Sequence, residues 1–83
     1  MSPSSEDIAQ VIRELTAKRG PDKTICPSEA ARALHPDSWR ELMPRIRETA
    51  IKLVESGAIE ITQGGEPVRD LENLRGPIRL RTL

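Results

Sequence analysis

The side chains in this sequence best suited to chemistry are donors for phosphate oxygens and base edges: Arg45, Lys52, Arg69 and Arg75, together with the hydroxyl of Thr49. Arg45, Thr49 and Lys52 fall four and three residues apart, the spacing of one outward helix face. Arg69 and Arg75 fall in a stretch punctuated by Pro67, Asp70, Asn73 and Gly76-Pro77, which reads as a loop. Cys26 stands just before a helix start, where a thiol can become reactive, but it is the only cysteine and has no partner for a disulfide. A small buried residue beneath that helix is the reading its setting favours. His35, the only histidine, has no metal-ligand spacing and no nucleophile motif nearby, and it suits the C-terminal end of a helix. Trp39 is the only aromatic residue, so a platform for stacking single-stranded bases is excluded. It anchors a core or, with Met43, presents a hot spot to a protein partner. Phosphate-loop, dinucleotide, zinc-protease, serine-hydrolase and calcium-loop motifs do not occur, so a non-enzymatic protein without metal or cofactor is expected.

Positioning these residues requires a specific order of elements. Ser4 or Ser5 can cap a helix whose Ile8, Val11, Ile12 and Leu15 share a face and which Gly20-Pro21 ends. Thr24 and Ile25 form a very short β-leaning stretch. Pro27 then opens a second helix with Ala30, Ala31 and Leu34 on a narrow apolar stripe, closed at His35-Pro36. Asp37 caps one or two turns through Trp39, Leu42 and Met43, and Pro44 reads as the start of a separate third helix. Ile46, Ala50, Leu53 and Val54 face the core there, with Arg47 at the margin, while Arg45, Glu48, Thr49, Lys52 and Glu55 look outward. Ile59 and Ile61 alternate with polar residues up to the Gly64-Gly65 turn, and the return strand is Ile78 to Leu80 after a long loop. The expected core is Ile8, Val11, Ile12, Leu15, Ile25, Leu34, Ile46, Ala50, Leu53, Val54, Ile59, Ile61, Ile78 and Leu80.

Helix, short strand, helix, helix, strand, long loop, strand is the order of an α+β winged helix: three main helices and a small antiparallel sheet with a wing. Ile25 is expected to pair with the last strand. Residues 1–5 read as a flexible start, and residues 6–83 as one domain with its wing loop at about 64–76. Three segments carry a resemblance in the same order: Ile25-Cys26-Pro27-Ser28-Glu29-Ala30-Ala31-Arg32-Ala33-Leu34, Trp39-Arg40-Glu41-Leu42-Met43-Pro44 and Arg75-Gly76-Pro77-Ile78-Arg79-Leu80. Over roughly residues 6 to 81 the chain resembles DUF3253, a small bacterial family of unknown function. The resemblance implies a winged-helix-like fold and no particular activity, substrate or site.

The 83 residues leave room for one small core and not for a deep substrate cavity. Apolar runs are too short for a membrane span or a secretory leader, and one free cysteine fits a cytoplasmic location. Thirteen basic residues balance thirteen acidic ones, so the strongly basic signature of nucleic-acid binders is missing at whole-chain level. Two functions follow. In the first, the domain binds DNA or structured RNA through the third helix (Arg45, Thr49, Lys52) and the wing (Arg69, Arg75), as a regulator would. In the second, it binds a protein partner or a second copy through Trp39, Met43 and the wing, without nucleic acid. The connection around Trp39 is longer than a compact helix-turn-helix allows, which favours the second. Arg79 and Arg81 share a solvent face and either contact phosphate or pair with Glu60 across the sheet.

Overall fold

The computed structural model describes residues 3–83. Three helices, α1 (Ser5–Arg19), α2 (Pro27–Leu34) and α3 (Trp39–Glu55), precede three strands, β1 (Ile59–Gln63), β2 (Glu66–Pro67) and β3 (Arg79–Thr82). The layout is α+β and winged-helix-like. Of the polar start, Met1 and Ser2 lie outside the described residues. Ser4 is the N-cap of α1: its Oγ accepts from the Asp7 N–H at 3.0 Å, and Asp7 accepts in return from the Ser4 N–H at 3.1 Å. Two donors that the helix itself cannot satisfy are thereby paired.

The sheet is antiparallel in the order β2-β1-β3, with Ile61 opposite Leu80 and Glu60 opposite Arg81. Ile25 joins the free side of β3 as expected, exchanging two backbone hydrogen bonds with Leu80 at 2.8 and 2.9 Å. That bridge closes the domain, because the chain between α1 and α2 is held to the last strand. The residues with alternating or helical apolar spacing meet in one core, where Ile8, Ile12, Ile25, Ala30, Ala31, Leu42, Ile46, Ala50, Leu53, Ile59, Ile61, Ile78 and Leu80 are buried. Val11, Leu15, Leu34 and Val54 sit at its rim, half-buried.

Two local expectations are corrected. Pro44 does not start a new helix; it lies inside α3, which runs unbroken from Trp39 to Glu55. Proline in the second turn forfeits only the one bond its N–H would have given to the Arg40 carbonyl. Burial of Leu42 before it and Ile46 after it, both on the core side, holds the two parts on one axis. The connection from α2 is therefore the four residues His35–Ser38, within the compact range rather than longer than it.

The strand after Gly64-Gly65 is also not the distant one. Gln63 pairs at once with Glu66, and Thr62 with Pro67, across a two-residue turn in which both glycines have positive φ, 58° and 84°. Only glycine adopts that pair of angles without strain. Pro67, which has no N–H to give, is tolerated because β2 is an edge strand. The long segment 68–78 then returns the chain to β3 on the other side of β1.

Candidate nucleic-acid interface

On α3, residues seven apart recur at nearly the same angle. The four basic and three acidic residues of this helix therefore sort into three lines. Glu41, Glu48 and Glu55 run along the middle of the exposed face. Arg40 and Arg47 lie on one flank of that line, and Arg45 and Lys52 on the other. A helix of about 10–12 Å diameter laid in a major groove about 12 Å wide turns its two flanks to the two phosphate backbones and its middle to the base edges. Carboxylates in the middle meet no phosphate in that pose, and glutamate accepts from the cytosine amino group.

Thr49 does not belong to this surface. It is buried at 7% exposure, on the core side with Leu42, which precedes it by seven residues, so the outward placement expected for it is corrected. Lys52 is exposed but pairs with Glu48 across one turn, Nζ to Oε1 3.7 Å. Such an exposed pair is weak and opens readily. Arg45 is half-buried, and Arg69 and Arg75 are exposed. Among the described residues the ion pairs are Arg13 with Glu6, Arg19 with Glu29, Lys52 with Glu48 and Arg81 with Glu60, which leaves Arg45, Arg69 and Arg75 without a carboxylate.

The wing is fastened to α3. Arg47 Nη1 donates to the Gly76 carbonyl at 3.1 Å, and Gln63 Nε2 donates to the carbonyls of Arg75 and of Pro77, the latter at 3.2 Å. Side chains from α3 and β1 thus hold three consecutive wing residues, so Arg75 stands beside the flank that carries Arg40 and Arg47. The helical spacing that places Arg47 at the margin of the core does not reveal this role.

The two arginines of β3 are occupied. Arg81 donates through Nε (3.0 Å) and Nη2 to Glu60 Oε1 on the neighbouring strand. Arg79 donates to Thr24 Oγ1 at 2.9 Å and to the Thr24 carbonyl at 3.2 Å. Thr24 also accepts from Arg19 Nη1 at 3.1 Å, and Arg19 Nη2 reaches Glu29 at 2.7 Å, which ties α1, α2 and β3 together. The Cys26 backbone N–H donates to Glu29 Oε2 at 2.8 Å. That bond first, and the Arg19 guanidinium after it, hold the Glu29 carboxyl below its ordinary range against a small opposing effect of burial. These arginines close the fold and are not part of the candidate interface.

Trp39 and Met43 are half-buried and packed against the core. The Trp39 ring is covered by two guanidiniums, Arg32 from α2 at 4.4 Å and Arg40 at 4.6 Å from its centroid. Leu83 is the only exposed large hydrophobic residue among those described. Cys26 is half-buried rather than enclosed, the N-cap of α2 with the Ser28 hydroxyl 3.1 Å from its sulfur. His35 is the C-cap of α2, its N–H bonded to the Ala31 carbonyl at 2.9 Å. Among the described residues no three His, Cys, Asp or Glu side chains converge on a possible metal position, and no helix is long and apolar enough to cross a membrane.

The family model for DUF3253, a protein of unknown function, matches residues 5–83. The chain belongs to the DUF3253 family. No curated protein matches it. The match runs through α1, α2, α3 and the wing to the end of β3, so every element that forms the candidate surface lies within the family domain.

Proposed function

We propose that this DUF3253 protein binds duplex DNA, with α2 and α3 acting as a helix-turn-helix and the 64–78 segment as its wing. The observation that carries this reading is the arrangement of charge on α3. Basic flanks border the exposed face, and Arg47 fastens the arginine-bearing wing to one of them through Gly76. Arg45 and Lys52 serve the backbone of one strand, Arg75 that of the other, and Arg69 extends the wing's reach. The four-residue connection between α2 and α3 supports the same reading. A-form RNA has a major groove too deep and narrow for such a helix, which favours DNA over structured RNA.

A neutral net charge limits the sequence-independent attraction, so binding is expected to fall steeply with salt. Fluorescence anisotropy with labelled duplex DNA at about 50 and 200 mM salt tests this, because counterion release most favours binding at the lower concentration. Saturable binding that weakens by an order of magnitude or more supports the reading. A flat titration at the lower salt removes it and returns the partner-binding alternative, in which Trp39→Ala would abolish capture of a protein.

A further inference from the structure

Arg32 and Arg40 come from different helices and stack on one indole, that of Trp39. Both arginines are exposed, whereas Trp39 is half-buried and fixed by the core. A guanidinium held through its π face keeps its N–H donors free, because they lie in the guanidinium plane. No ion pair among the described residues uses either side chain; Asp37 and Glu41, the nearest carboxylates in sequence, pair with neither. The result is a pair of oriented, unneutralised forks on a rigid platform where α2 leads into α3. Planar forks of this kind suit the paired oxygens of a phosphate.

We propose that Arg32 and Arg40, mounted on Trp39, form a clamp for a backbone phosphate of DNA. The proposal rests on the DNA-binding reading and adds a contact apart from the wing, at the opening of α3. Stacking orders both side chains before the phosphate arrives, so less freedom is lost on binding. Because Trp39 is the only tryptophan, its emission reports directly on the clamp.

The test uses the full chain and unlabelled duplex DNA to titrate Trp39 emission, alongside anisotropy with labelled duplex over a range of salt. The wild-type emission is expected to change saturably, along the same isotherm as the anisotropy. The double variant R32Q/R40Q is expected to lower the slope of log K against log salt by about 1.8, at about 0.9 per phosphate contact. Arg13→Gln, on the outer face of α1, is expected to leave the slope unchanged. DNA binding with flat Trp39 emission and an unaltered slope in R32Q/R40Q would overturn the clamp and leave the wider reading standing. No DNA binding by the wild type would overturn both. Where the double variant fails to fold, the wild-type emission decides alone: coincident change supports the clamp, and flat emission overturns it.

Discussion

Leu80→Ala is the substitution that most sharply probes how the domain is closed. Leu80 is fully buried, lies opposite Ile61 and exchanges both backbone bonds with Ile25, so three segments far apart in sequence converge on it. Alanine keeps the backbone bonds and removes three carbons, about 2.4 kcal/mol of transfer free energy at roughly 0.8 per carbon. The residual cavity adds to this, since a strand held on both edges cannot move in to fill it, giving about 3–4 kcal/mol in all. For a domain of this size that lowers the melting temperature by about 12–24 °C or more, at roughly 4–8 °C per kcal/mol. Thermal unfolding followed by circular dichroism measures it. Arg81→Ala, next along the strand and facing the other way, should cost under about 1 kcal/mol, since it removes only a partly exposed ion pair. A fall of under about 5 °C for Leu80→Ala, with a larger one for Arg81→Ala, would mean that β3 is shifted by one residue, with Arg81 and not Leu80 facing the core.

Two further perturbations test local features. Pro44→Ala restores an N–H for the Arg40 carbonyl while loosening the unfolded chain by about 0.4–1 kcal/mol, and the net expectation is a gain of about 1 kcal/mol in urea unfolding; a loss would show that α3 needs the proline. Glu29 has a folded pKa below its ordinary value of 4.5, so its contribution is fully present above that value and is lost as pH falls through the folded pKa. Melting temperatures measured from pH 6 to pH 3 should therefore drop less steeply for Glu29→Gln than for the wild type, and identical pH dependences would contradict the assignment.

Much of this architecture is legible in the residues themselves. Caps, the Gly20-Pro21 and Gly57 stops and the alternation at Ile59-Ile61 yield the element order, and the β-leaning Thr24-Ile25 pair points to the strand that Ile25 joins. What escapes has a common source. Taking Pro44 as a new start removes Leu42 from the apolar stripe of α3. With Leu42 restored, Thr49 falls seven residues below it on the core side, and the α2–α3 connection shortens to four residues. Tertiary burial on both sides of a proline overrides its local preference, and no local rule registers that. The β2 strand escapes because two exposed residues, one of them proline, carry no strand pattern. The stacking of Arg32 on Trp39 joins two helices, and the latch from Arg47 to Gly76 spans 29 residues, so neither has a signature in sequence spacing.

If the flanks of α3 and the wing together hold the backbone of duplex DNA, removing their cations must change how affinity responds to salt. The deciding measurement is the salt dependence of duplex affinity for the wild type and for the triple variant R45A/K52A/R75A, whose side chains are unnecessary to the core. Wild-type binding should be measurable at about 50 mM salt, and the slope of log K against log salt should be shallower in the variant by about 2.7, or 0.9 for each lost phosphate contact. Equal affinity and equal slope for the two proteins, or no binding by either, would contradict DNA binding through this surface.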